Sequence, residues 1–411
     1  MTTNASALAT ASEQHTAPKW SARIPELDGI RGSAIAMVLL WHYLMLGPRF
    51  SPTPGTFLSR LMVWQRLTWT GVDLFFVLSG FLIGGILIDA RKSDNYFRVF
   101  YTRRFFRIVP VYLTVLVICP LLLRVAEKVY LSDYSFLNSG SGPWYCYLTF
   151  TQNFWMAGAN TIGSNMLSIT WSLAIEEQFY LVLPLLVRFL SEKSLLILVV
   201  TGICLAPIFR TAILFASPGN SIAPFVLLPC RADALLLGVL ATILLRKEQY
   251  REVFRKSGRY FAAVFALLLC GLAVLAFRFS YPFWPVMQGI GYSWVAFFYA
   301  TVLVFALTRR DGLVGRFFRN SLLRRLGTLA YCTYLIHQTV QGLVFALILR
   351  RPPKIDDMNG LLCALGSLFM TLLVASVSWR YFESRLIGMG HRVNYGVRER
   401  QPISLSQLQA G

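Results

Sequence analysis

Ten apolar stretches dominate this sequence, at roughly residues 30–46, 68–88, 108–124, 170–190, 195–215, 223–245, 259–277, 286–307, 326–349 and 361–387. Each approaches the ~20 residues that a helix needs to cross a hydrocarbon core. Lipid offers the backbone no water to bond, so a chain written this way folds as an all-α, multi-pass transmembrane bundle. Composition agrees, because 14% of the 411 residues are charged, against about 25% in a soluble chain. The formal charge of +20 does not mark a nucleic-acid binder, because the basic residues sit in short connections between the apolar runs.

Residues 1–23 are rich in Ala, Ser and Thr and hold no apolar run. They read as a disordered cytoplasmic tail rather than a cleavable signal. Residues 24–387 form the transmembrane domain, and 388–411 a second cytoplasmic tail. The seven cysteines are scattered through apolar segments with no CxxC pair, which gives neither a disulfide framework nor a metal site.

Basic connections stay on the cytoplasmic side. Those at 89–107, 246–259 and 308–325 are strongly basic, whereas 125–143, 216–222 and 278–285 carry one basic residue or none. Alternation holds across all spans only if 144–157, "WYCYLTFTQNFWMA", does not cross. It reads as a re-entrant or interfacial hairpin on the outer side, tolerable where it is buried in protein. The topology is then ten spans with both termini cytoplasmic.

Several spans carry ionisable residues, which in a membrane face the bundle interior and pair. From the rise per residue, His42 lies roughly 18 Å from the inner end of its span, and Glu176 roughly 9 Å below the outer end of its own. Arg231 and Asp233 fall roughly 12–15 Å from the outer face and His337 roughly 13 Å from it. These depths place four helices' charges at one level, as a shared polar site. Glu176 and Glu177 point ~100° apart, so one of the two faces it. Other readings stand beside this one. Arg231 and Asp233 form a simple buried ion pair or belong to the site. His337 is a structural or a functional histidine. Asp73 and Ser79 cap and pack their helix or support the site. Arg31, Arg104 and Arg107 lie at the cytoplasmic entrance, where most arginines serve as retention signals and lipid-phosphate contacts. The sharper reading is a dock for a phosphate-rich ligand, which the guanidinium fork suits.

One chemistry needs this layout: transfer of a group from a thioester to a hydroxyl. The hydroxyl requires a general base, the role open to His42. A carboxylate such as Glu176 would orient the imidazole. Arginines would hold the donor's phosphates while its long arm reaches the midplane.

The sequence resembles the membrane acyltransferase family 3. The resemblance rests on "LDGIRGSAIAMVLLWH" (27–42), "GVDLFFVLSGFLI" (71–83), "RRFFRIVP" (103–110), "TFTQNFW" (149–155), "WSLAIEEQFYLVLP" (171–184), "RADALLLGVL" (231–240) and "YCTYLIHQ" (331–338), in the family's order. It implies ten transmembrane helices in a bacterial inner membrane and catalytic roles for Arg31 and His42. It also implies donor handling by Arg104 and Arg107, and a greater role for Glu176 than for Glu177. The family often has Pro after the Glu near the last helix. Here the text is "YFESRLI", so no role is assigned to Glu383. Some members carry a further esterase-like domain, which these residues do not include.

The resulting expectation is an O-acyltransferase that moves an acetyl group from cytoplasmic acyl-CoA to a hydroxyl of a surface glycan, glycolipid or glycosylated product. Lipid surrounds it, with no tightly bound cofactor, no metal and no nucleic-acid partner. The alternatives are a polysaccharide or organic-anion transporter, and a non-catalytic partner in glycan assembly.

Overall fold

The computed structural model describes residues 24–45, 65–130, 137 and 140–396. The 1–23 tail, the 47–64 part of the first connection and the end of the C-terminal tail lie outside the described residues. Every regular element among those described is helical.

Helix α1 (Pro25–Leu40) continues into a π-turn, Trp41–Met45. Then come α2 (Gly71–Ala90), α3 (Tyr96–Tyr130), α4 (Trp144–Leu148), α5 (Gln152–Ala159) and α6 (Thr170–Phe189). The second half holds α7 (Glu192–Ala216), α8 (Ala223–Val226), α9 (Leu228–Arg246), α10 (Glu248–Lys256), α11 (Gly258–Arg278) and α12 (Tyr292–Thr308). It closes with α13 (Leu313–Phe318), α14 (Ser321–Leu349), α15 (Met358–Ser378) and α16 (Ser384–His391).

Eight described helices or continuous helical segments are long and apolar enough to cross a membrane. Pro25–Met45 and α6 are not among them, for a physical reason. The first carries Glu26, Asp28 and Arg31, and the second Glu176, Glu177 and Arg188. Both place carboxylates within the helix, Glu26 and Asp28 in one and Glu176 and Glu177 in the other, and these the bundle must shelter. Its outer surface is apolar, with Val117, Leu181, Leu267 and Phe369 all exposed. In water such a surface would be untenable; in lipid it is the normal one.

Two differences from the sequence reading concern boundaries. The third span does not begin near 108: helix starts at Tyr96, so Arg98, Arg103, Arg104 and Arg107 ride on α3 rather than in a loop. Their basic side chains masked a helix that hydropathy alone begins later. The 144–157 segment forms α4 and α5, of 5 and 8 residues. At 1.5 Å per residue neither helix reaches across ~30 Å. Phe150, between them, takes a left-handed φ of 55°. Gln178 of α6 donates to the Phe150 carbonyl at 2.9 Å, and Asn153 donates to the Val226 carbonyl at 3.1 Å. The non-helical backbone at this corner is thus satisfied by protein.

Helix contacts use glycine where backbones meet. A Cβ on Gly80 would collide with the Leu235 carbonyl of α9, and one on Gly238 with the Val77 carbonyl of α2. Gly32 and Gly327 make the same mutual approach between α1 and α14. Without lipid-excluded hydrophobic gain, this close packing is what holds spanning helices together.

Candidate active site

Five helices converge on one cavity of about 240 Å³. Arg31 enters from α1, Ser79 from α2, Arg104 and Arg107 from α3, Glu176 and Tyr180 from α6, and Tyr331 and Tyr334 from α14. Helical spacing explains the convergence. Val72, Phe75, Ser79, Leu82 and Ile86 repeat every three or four positions, so one face of α2 forms a wall. Ser172, Glu176 and Tyr180 repeat every four along α6.

The cavity's electrostatics are one-sided. Glu176 has three guanidinium neighbours, Arg31, Arg104 and Arg107. The Arg104 guanidinium lies 5.4 Å over the Tyr180 ring, and the Tyr180 hydroxyl bonds Ser79. Asp28, one turn before Arg31, approaches it at 3.4 Å. Phe75, Leu82 and Ile83 supply apolar walls, so the excess positive charge sits where the effective dielectric is low. Such a site favours an anion.

His42 does not line this cavity. It stands on the π-turn, eleven positions beyond Arg31. That spacing returns it to the same helix face but about 16 Å further along the axis. Its Nδ1 donates to the Val38 carbonyl at 2.9 Å. A carbonyl only accepts, so Nδ1 carries the proton and Nε2 is left as an acceptor. The His337 ring lies beside it, edge-on, with centroids 4.7 Å apart. Tyr334 separates this pair from the arginine cavity. Its hydroxyl meets Ser172 at 2.6 Å, and its ring centroid is 5.9 Å from His337 and 6.1 Å from Phe75.

The expected partnership of Glu176 with His42 is therefore corrected: no hydrogen bond or ion pair joins them among the described residues. The expected depth of Glu176 takes its span to start at the membrane face. Instead Ser168, Thr170 and Ser172, at the start of α6, are buried inside the protein. Glu176 lies on the cavity wall with Arg31 rather than beside His42. Glu177 is displaced from the cavity wall, and its Oε1 is buried without a hydrogen-bond partner.

Arg231 and Asp233 do not pair with each other, because residues two apart on a helix face away from one another. Arg231 instead bonds Asp73 of α2 at 2.6 Å, under a Tyr292 ring 4.0 Å away. Asp233 accepts from Arg210 of α7 at 2.9 Å and from Ser293 of α12 at 2.6 Å. These four charged residues are at most 1% exposed and tie α2, α7, α9 and α12 together. Asp73 is thus a cross-helix partner rather than a cap, whereas Ser79 belongs to the cavity. Sequence reasoning overlooked Arg210, although a single arginine inside an apolar span is itself a signal. It also overlooked Ser172, Tyr180 and Tyr334, which helical spacing from Glu176 and His337 would have found. Glu383, given no role, is buried and accepts from Ser378 at 2.9 Å. Among the described residues no cluster of His, Cys, Asp and Glu is arranged to hold a metal ion.

Fold and site together define a membrane protein with a buried, cationic cavity beside a histidine pair. The chain belongs to the acyltransferase 3 family, whose acyltransferase-domain model matches residues 24–380. It is 24% identical over 387 residues to peptidoglycan O-acetyltransferase OatA of Listeria monocytogenes, covering 90% of this chain and 57% of that protein. O-acetyltransferase OatA of Staphylococcus aureus is 22% identical over 387 residues, 90% of this chain and 58% of its own length. An uncharacterized protein of Haemophilus influenzae is 30% identical over 212 residues, 48% of this chain and 84% of its own. The chain thus spans little more than half the length of the two acetyltransferases. No solved structure matches it.

Proposed function

We propose that this protein is an integral membrane O-acyltransferase of ten spans, with both termini cytoplasmic, in the bacterial inner membrane. It moves an acetyl group from cytoplasmic acyl-CoA to a hydroxyl of a surface glycan or glycosylated product. The observation that carries this reading is the convergence of Arg31, Arg104 and Arg107 on one carboxylate, with a base-competent histidine further along the same helix face.

The three guanidiniums hold the donor's phosphates, for which their planar donors are suited. The slender acyl-bearing arm follows the α2 wall past Tyr334. Arg31 is about 16 Å from His42 along α1, so its role shifts from the reacting atoms to the donor's anionic end. The acceptor hydroxyl gives its proton to His42 Nε2 as its oxygen bonds to the thioester carbonyl carbon. The C–S bond then breaks, and the departing thiolate takes up a proton. A carbohydrate acceptor is supported by the name of the Listeria relative, which is called after peptidoglycan.

Purified protein in proteoliposomes should release free CoA from labelled acetyl-CoA and pass the label to added glycan fragments. His42→Ala should lower transfer by the 10²–10⁴-fold typical of a lost general base. A variant keeping a tenth of wild-type turnover excludes His42 as that base. Arg104→Ala and Arg107→Ala should raise the donor concentration needed for half-maximal rate. An unchanged donor dependence would return both arginines to a topogenic role.

A further inference from the structure

The carboxylate expected to support His42 is elsewhere, and His337 occupies the place beside it. The two rings are 4.7 Å apart, one on the π-turn that continues α1 and the other on α14, helices that pack directly through Gly32 and Gly327. Both histidines are anchored in the same way. His42 Nδ1 donates to Val38 O at 2.9 Å, and His337 Nδ1 donates to Tyr334 O at 2.7 Å. Each is therefore fixed as the Nδ1–H tautomer, with Nε2 as the acceptor. The His337 side chain is completely buried, yet its Nε2 has no hydrogen-bond partner among the described residues. A buried polar atom without a partner is costly and persists where something uses it. The backbone around it is held firmly: Tyr43 donates its hydroxyl to the His337 carbonyl at 3.2 Å and also meets Thr371 at 2.9 Å.

We propose that His337 is the positioning residue of the general base, its Nε2 lone pair held for the proton chemistry of His42. This inference rests on the acyltransferase reading given above. In the resting site two neutral imidazoles face each other. When the acceptor hydroxyl gives its proton to His42 Nε2, the new imidazolium has the His337 lone pair, rather than a carboxylate, as its polar neighbour. A neutral partner stabilises the cation less than a carboxylate would, so the proton passes readily to the departing thiolate. No oxidant, reductant or co-reactant beyond thioester and hydroxyl is involved.

Two variants of similar reach separate this role from packing. His337→Gln keeps an acceptor at the side-chain tip, and His337→Met does not. The expected result is that His337→Met loses at least 100-fold in kcat with an unchanged donor KM, while His337→Gln recovers at least a tenfold part of that loss, both at wild-type melting temperature. In a His42→Ala background neither substitution should lower the residual rate further. Equal losses in both variants, or full activity in His337→Met, overturn the proposal. If either variant fails to fold, nitrogen-15 spectra of the histidine rings in wild-type protein in lipid nanodiscs decide it. Both rings must show a protonated Nδ1 and an unprotonated Nε2, and an Nε2–H form of His337 refutes the role. Wild-type protein that transfers no acyl group at all would instead refute the acyltransferase reading, a result that these spectra do not touch.

Discussion

At the scale of single residues, the buried charges divide into two groups with different expected behaviour. Arg210 and Asp233 are a closed structural pair, and Arg210 also donates to the Cys230 carbonyl at 2.5 Å. Arg210→Met takes the guanidinium away from Asp233 and leaves its carboxyl with Ser293 and the Ala234 amide. Breaking one side of a buried pair costs about 3–5 kcal/mol, whereas replacing both partners by apolar residues is often nearly neutral. The single variant should therefore unfold much more easily in detergent than Arg210→Met/Asp233→Leu, as followed by circular dichroism during denaturation. Glu176 belongs to the other group, with three guanidiniums and an open cavity. Glu176→Gln removes the carboxylate that Arg31, Arg104 and Arg107 share, so its melting temperature should fall. A bound polyanion restores that charge, and binding to the folded state alone stabilises it. Millimolar CoA should thus recover most of the loss in Glu176→Gln and have much less effect on Glu177→Gln, whose side chain lies off the cavity wall. Equal responses of the two variants would mean that the helix face was assigned wrongly.

At the scale of elements, two glycine contacts set the site's dimensions. The α2–α9 contact positions the Ser79 wall, and the α1–α14 contact brings His42 to His337. Gly80→Ala places a methyl group against the Leu235 carbonyl, which cannot rotate away as a side chain would. The helices must separate, with a loss of about 1–3 kcal/mol expected for overpacking. Gly366 on α15 offers a control, since a Cβ there meets nothing within 4 Å. Gly366→Ala should be neutral or slightly stabilising through helix propensity. Folded yield and melting temperature of the pair check this. Similar losses at both positions would show that glycine content, rather than the Gly80 contact, matters.

At the scale of the whole molecule, topology is the remaining test. α4 and α5 are too short to cross, so Ser141 and Asn160, which flank them, should lie on the same side of the membrane. Cysteines introduced there, in a background without native cysteines, should both react with an impermeant reagent added from outside. Labelling of Asn160→Cys from the cytoplasm alone would break the ten-span arrangement. The sequence by itself determined the fold class, because runs of ~20 apolar residues permit little besides spanning helices. It also determined that 144–157 stands apart from those runs, and that Arg31, His42, Glu176 and His337 sit on helices rather than in loops. These properties are local and periodic, and composition and spacing carry them. Partnership is different. Glu176 meets Arg31 rather than His42 because of where α6 seats against α2. Arg231 meets Asp73, and Asp233 meets Arg210, because helices distant in sequence are adjacent in space. Depth along an axis and the choice of facing neighbour depend on how every other helix packs, so only the tertiary structure decided them.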